Sequence, residues 1–320
     1  MLYLNEEHVL SIGVNWAETT EVIENTIKAD DVNQVVQPVK PYLRFKDKAN
    51  RIIAMPAYVG DEYDVAGIKW IASFPDNINK GIPRASSVVI LNDANTGQVK
   101  SIINGALLSI IRTASVSGLL IQRALEAKKL ERFSIGIIGW GPIGQNHYHM
   151  CRYLFEDQIE QIYLYDINGI NGPESVVNDS KVRVCSDWRE VYHHADVFMT
   201  CTVSKERYID EQPKPGAILL NVSLRDYKLE SYDYVKNGLI VDHWKEVCRE
   251  NTDIEWFYLQ RGLQEQDVKT FADVICRQVL HDLAPDQPIM FNPMGMAAFD
   301  ISIGEYYLRK ARELNMGQAL

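Results

Sequence analysis

The stretch Phe133–Gly144, FSIGIIGWGPIG, sets a run of strand-forming residues directly against three glycines, Gly139, Gly141 and Gly144. The spacing is G-x-G-x-x-G, and Pro142 stands where a helix would take its first turn, a position that tolerates a residue with no N–H. Glycines so placed permit a tight turn, a close backbone approach to a pyrophosphate and close helix–strand packing. The helix that follows would offer free N–H groups and positive partial charge to the phosphates, with Pro142 and Ile143 in its opening turn. Downstream, QIYLYD ends on Asp166, about twenty residues beyond the last glycine, where a carboxylate accepts hydrogen bonds from a ribose. A carboxylate would repel a 2′-phosphate, and Ile167 and Asn168 supply no cation to hold one. The stretch therefore predicts NAD rather than NADP.

Strands and helices alternate through the rest of the middle of the chain. VRV, VFMTCT, AILLNV and LIVD are short β-branched runs between polar or helical segments. Such alternation predicts a parallel sheet with helical crossovers. The expected fold class is α/β: a doubly wound parallel-sheet (Rossmann) NAD domain over 131–291. Residues 1–130 with 292–320 then form an α/β substrate-binding and dimerisation domain. In that part Arg51–Val59, Val65–Phe74 and Ser86–Asp93 read as strands. Asp93–Gly97 reads as a hairpin turn, and Leu107–Lys129 as a long helix with a basic end. A last helix is expected to end at Met316–Gly317.

Lys and Arg number 33 against 43 Asp and Glu, so the formal net charge is −10. That argues against a broad nucleic-acid or anionic-membrane surface while allowing a small basic pocket. No apolar run is expected to reach the roughly 18–20 residues that span a bilayer. The N-terminus MLYLNEEHVL lacks a basic region followed by an apolar stretch, so a cytoplasmic protein is the default. The five cysteines are widely spaced, with no C-x-x-C, and no metal site is expected. His147 and His149 would point to different helix faces, and both read as surface or helix-end residues.

Further motifs occur in a fixed order: Lys69 in GIKW, Arg112-Thr113-Ala114, Thr200-Cys201-Thr202, Asn221-Val222-Ser223-Leu224-Arg225-Asp226 and Met294-Gly295-Met296. This ordered set resembles the ornithine cyclodeaminase/μ-crystallin family of NAD(P)-dependent enzymes over essentially the whole chain. The runs QPVKPYLR, NRIIAMP, GIKWI, RASSVVILND, TCTV and NPMGMA are similar to one branch of it. That branch oxidises the secondary amine of N-(2-amino-2-carboxyethyl)-L-glutamate with NAD, then hydrolyses the imine to L-2,3-diaminopropionate and 2-oxoglutarate. The resemblance implies siderophore or peptide natural-product biosynthesis and a homodimer. Ornithine cyclodeaminase or alanine dehydrogenase chemistry, and a μ-crystallin-like binding protein without catalysis, stay open beside it.

What the resemblance implies for single residues is specific. Arg44, Lys69 and Arg112 would hold the amino-acid carboxylate. Lys40 and Arg84 would add charge for the further carboxylates, Arg84 standing where relatives have Thr. Arginine suits that task through its bidentate fork. Asp226 would be the general base, taking the amine proton and then activating water, with Lys69 orienting the substrate beside it. Arg112 and Thr113 are expected near the cofactor, as are Thr202 and Val203 at a strand end. Asn221, Ser223 and Leu224 would line the nicotinamide side, and Met294-Gly295 would close over it. The active site is expected where the two domains meet.

Overall fold

The computed structural model describes residues 1–172 and 174–320. It divides into two compact units, one formed by Met1–Ser115 with Gly295–Leu320 and the other by Val116–Met294. The division falls inside the helix Gly105–Lys128, ahead of the boundary near residue 130 that the sequence pattern suggests.

The second unit is built on an eight-stranded sheet whose strand pairs are all parallel. Strand Phe133–Ile138 is buried along its whole length, which is why its sequence does not alternate apolar with charged residues; its one polar side chain, Ser134, donates to His194 O at 2.7 Å. It lies between Ile159–Tyr165 on one side and Val197–Thr200 on the other. The chain thus winds outward in both directions from this strand, the doubly wound pattern expected. Gly136 lets the helix Trp188–His194 pack closely, since a Cβ there would meet Val191 Cγ1 at 2.7 Å and Ala195 Cβ at 2.8 Å.

The first unit carries a largely antiparallel sheet around Asp47–Val59, Val65–Ser73, Ala85–Asp93 and Val99–Asn104. The helix Ala297–Glu313 packs against one face of it. Gly67 faces Ile301 and Gly304 faces Val89, so small residues on both elements admit the close approach. The other face presents Ala54, Trp70 and Val88 in one cross-strand row and Pro56, Ile68 and Ile90 in the next. None of these is charged and none is buried.

Four expectations are corrected. The helix Trp16–Asp31 is absent from the sequence reading, because its many polar and acidic residues hide the stripe of Trp16, Ile23 and Ile27 that it buries. The last helix stops at Glu313, short of Gly317. The helix Gly105–Lys128 does have the length and apolarity of a membrane span; two thirds of that window is buried inside the fold, as in a core helix. His147 is wholly buried rather than at the surface, because its face of the helix Pro142–Phe155 turns inward. Its Nε2 lies 2.8 Å from Ser117 Oγ and its Nδ1 lies 2.8 Å from Ile143 O, so both ring nitrogens have partners.

Candidate active site

In the second unit the glycine turn has the shape its spacing predicts. Gly139 takes φ +94°, and a Cβ there would strike Cys201 O at 2.5 Å. Gly144 lies so close to the turn that a Cβ would sit 1.9 Å from Gly139 O. Gly141 differs, having nothing within 4 Å of a Cβ position, so the space over the turn is open. Gly141 is also the N-cap of Pro142–Phe155 and has no side chain to cap the helix. The N–H groups of the first turn, at Ile143 and Gly144, are thus left for a ligand. Asp166 Oδ2 accepts from Trp140 N at 2.7 Å and Oδ1 from Asn168 N at 2.8 Å, so the acid is fixed beside the turn. A tight glycine corner, an uncapped 14-residue helix and a held carboxylate at the next strand end together fit a dinucleotide.

Asp226 stands beyond the strand Ile218–Leu220 and caps no helix. It is 1% exposed. Its Oδ1 accepts from Thr202 Oγ1 at 2.6 Å, and its Oδ2 accepts from Ser223 Oγ. Burial raises its carboxyl above the ordinary Asp range, against the pull of the Thr202 and Thr200 hydroxyls and of Arg225 and Arg207. The result is a carboxylate of raised basicity. Thr202 and Ser223 are therefore partners of the acid itself, while Val203 is exposed. Asn221 Oδ1 accepts from Leu224 N at 3.0 Å, and Leu224 takes φ +67°. Met294 packs half-buried against the apolar cluster of this unit.

In the first unit Lys69, on the strand Val65–Ser73, is 1% exposed. Its Nζ donates to Ser109 Oγ at 2.7 Å and Asp300 Oδ1 at 3.0 Å. Arg112 Nε reaches the same oxygen at 3.2 Å. Burial lowers Lys69 to about 8; Asp300 opposes that fall, while Arg112 and Lys40 add to it. Burial also works against the Asp300 charge, but Arg112 and Lys69 outweigh it and hold the carboxyl below its usual range. Buried Lys40 donates to Gly295 O at 2.8 Å. Gly295 takes φ +86°, and a Cβ there would sit 2.6 Å from the Arg112 guanidinium. Thr113 spends its hydroxyl on Ser109 O at 2.7 Å.

Lys40, Lys69, Arg112 and Gly295 are thus brought together. Arg44 is not among them. It is exposed on the strand Tyr42–Phe45, donates to Lys48 O at 3.0 Å and lies 5.4 Å over the Tyr42 ring. Arg51 lies over the same ring at 5.7 Å. Burial and the nearby charge of Arg51 both lower the half-buried Arg84, so these two cations lie near each other. Asp300 and Arg51 carry no role in the sequence reading. The one signal for Asp300 is a lone acid within the apolar run AAFDISIG. Among the described residues no group of three or more His, Cys, Asp or Glu side chains converges as a metal site would.

A family model described as the ornithine cyclodeaminase/mu-crystallin family matches residues 5–314. The chain belongs to this family. Among curated relatives, the N-((2S)-2-amino-2-carboxyethyl)-L-glutamate dehydrogenase of Staphylococcus aureus is 30% identical, over 100% of this chain and 98% of that protein. Among solved structures, the Thermococcus litoralis Δ1-pyrroline-2-carboxylate reductase in complex with NADH and L-proline superposes with a TM-score of 0.87 at 20% identity, covering 100% of each chain. An archaeal alanine dehydrogenase dimer with bound NAD gives 0.81 at 20% identity, covering 100% of this chain and 98% of that one. These two structural likenesses place the fold of this family member as α/β with a parallel sheet.

Proposed function

We propose that the protein is an NAD-dependent dehydrogenase of a CH–NH donor, and that the donor is N-(2-amino-2-carboxyethyl)-L-glutamate. The observation that carries this reading is the sharing of one buried carboxylate oxygen, Asp300 Oδ1, by two buried cations, Lys69 and Arg112. Uncompensated buried charge is costly, and a many-times-ionised substrate supplies the missing anions. The 30% identical staphylococcal relative supports the same donor.

A bound dinucleotide would supply the hydride acceptor for the Cα of the glutamate moiety. Gly139, Gly141, Gly144 and the start of Pro142–Phe155 hold its pyrophosphate, and Asp166 takes its adenosine ribose. Arg112 and Lys69 hold the α-carboxylate, Lys40 strengthens the local positive charge, and Arg84 takes a further carboxylate. Asp226 removes the proton from the amine nitrogen as the C=N bond forms. After releasing that proton to solvent it takes one from water as the oxygen adds to the imine carbon and returns it to the nitrogen; transfer of the carbinolamine hydroxyl proton to that nitrogen then breaks the C–N bond and leaves a ketone and a primary amine. The products balance as L-2,3-diaminopropionate, 2-oxoglutarate, NADH and a proton. Such a product suits siderophore or peptide natural-product biosynthesis. The uncharged sheet face around Trp70 suits pairing with a second copy, and the archaeal alanine dehydrogenase of the same fold is a dimer.

The test follows NADH and 2-oxoglutarate together, with the tricarboxylate amine, ornithine and alanine as separate substrates. Stoichiometric release of both products from the tricarboxylate alone is expected. NADH formation from alanine, or ammonia loss from ornithine, without turnover of the tricarboxylate would overturn this donor.

A further inference from the structure

Asp253 is the first residue of the helix Asp253–Arg261 and is wholly buried. An acid there ordinarily serves its own helix, yet Thr252 already caps this one through Glu255 N at 3.1 Å. The Asp253 carboxylate is turned to another loop. Its Oδ2 accepts from the backbone N–H of Asp226 and of Tyr227, each at 3.1 Å, and from Asn221 Nδ2 at 2.9 Å. Its own N–H donates to Leu224 O at 2.8 Å. The segment 221–227 is therefore stapled to Asp253 on both sides of Leu224, whose left-handed backbone an unsupported leucine would resist. The other oxygen, Oδ1, accepts from Arg207 Nε at 2.6 Å. Arg207 is itself fixed by Asn251 O at 2.7 Å and by the Trp256 ring 3.9 Å from its guanidinium carbon.

We propose that Asp253 and Arg207 form a positioning pair that aims the Asp226 carboxylate and, by balancing each other's charge, sets its basicity. The assignment of Asp226 as general base rests on the function proposed above; the pairing itself does not. The charged groups bearing on Asp226 are Arg225 and Arg207, both of which favour its ionised form, and Asp253 itself, whose carboxyl burial pushes up to about 6 against the pull of Arg207. Tyr208, Tyr227 and Cys201 also lie near it, and burial raises all three, so they stay neutral at working pH. Arg207 is thus a nearby cation paired with the buried Asp253, and each partner's removal unmasks the other.

The two removals act in opposite directions. In Asp253→Asn the Arg207 charge is unbalanced, and the Asp226 titration moves to lower pH. In Arg207→Gln the Asp253 charge is unbalanced, and the titration moves to higher pH. Arg207→Lys restores the charge and returns it toward the native value. The readout is the carboxyl carbon NMR titration of Asp226 in the free protein, assigned with Asp226→Asn, so it needs no substrate. Misaiming the carboxylate should also lower kcat on the order of 10–100-fold in Asp253→Asn with little change in KM for NAD. Opposite shifts support the pairing; no shift in either variant, or shifts of one sign, overturns it. Should Asp253→Asn not fold, the Arg207→Gln and Arg207→Lys pair decides the question. Absence of turnover of the tricarboxylate by wild type, with the opposite Asp226 shifts present in the variants, would fault the substrate reading alone.

Discussion

Lys69 Nζ stands 3.0 Å from Asp300 Oδ1, with both side chains closed off from water. Arg112 shares that oxygen, so one carboxylate serves two buried cations. Removing one member of such a set leaves charge stranded in a medium that solvates it poorly. Asp300→Asn should cost about 3–5 kcal/mol of unfolding free energy, the magnitude typical of broken buried pairs. The double variant Lys69→Met/Asp300→Asn should recover part of the loss. Urea unfolding of the three proteins measures this, and a single-variant cost below about 1 kcal/mol would contradict the coupling.

His147 gives a pH signature. Burial lowers its pKa from 6.5 to about 4. Between those values the unfolded chain binds a proton that the folded chain refuses, so this residue's contribution falls as pH falls through 6.5 toward 4. At roughly 1.4 kcal/mol per pKa unit the full effect is about 3 kcal/mol. His147→Gln should therefore lose less stability than wild type between neutral pH and pH ~4. Parallel stability curves for the two proteins would show that His147 is not the source.

Asp166 should set cofactor choice. Its carboxylate already holds Trp140 N at 2.7 Å, so its position beside the glycine turn is fixed before any ligand arrives. Asp166→Ser should raise KM for NAD by about tenfold and allow measurable turnover with NADP, because the repulsion of a 2′-phosphate is gone. A wild-type preference for NADP would refute the reading from which this follows.

The uncovered sheet face should govern assembly. Trp70 is 38% exposed at its centre, opposite Ala54 and Val88. Burying an unpaired charge in an interface is costly, so Trp70→Asp should yield monomers while the first unit stays folded. Sedimentation at several concentrations reads this directly. A wild-type monomer, or a dimer indifferent to Trp70→Asp, would send the interface elsewhere.

Local spacing carried much of the reading. The glycine turn and Asp166 were legible because each lies at a fixed short distance from a strand end, where backbone geometry leaves little choice. Asp226 was legible through the motif around it, although its hydroxyl partners come from two separate segments. Asp300 was not legible, because its partners lie 231 and 188 residues away and nothing local marks an acid in an apolar helix as ion-paired. Asp253 was hidden for the same reason, its carboxylate serving a loop 27 residues upstream. His147 was misjudged because two-residue spacing shows that neighbours diverge but not which one turns inward. Arg44 looked equivalent to Lys69 in type, yet its strand leaves it in solvent.

The first unit takes its closing helix from Ala297–Glu313, after the entire second unit has passed through the chain. During synthesis the antiparallel sheet must therefore wait, with Lys69 and Arg112 lacking Asp300 and with Gly67 and Val89 bare, until those late residues emerge. The parallel sheet, contiguous in sequence, has no such delay. A ribosome stalled before residue 295 should hold a protease-resistant nucleotide unit beside a sheet still open to cleavage, so the order of translation is also the order of consolidation.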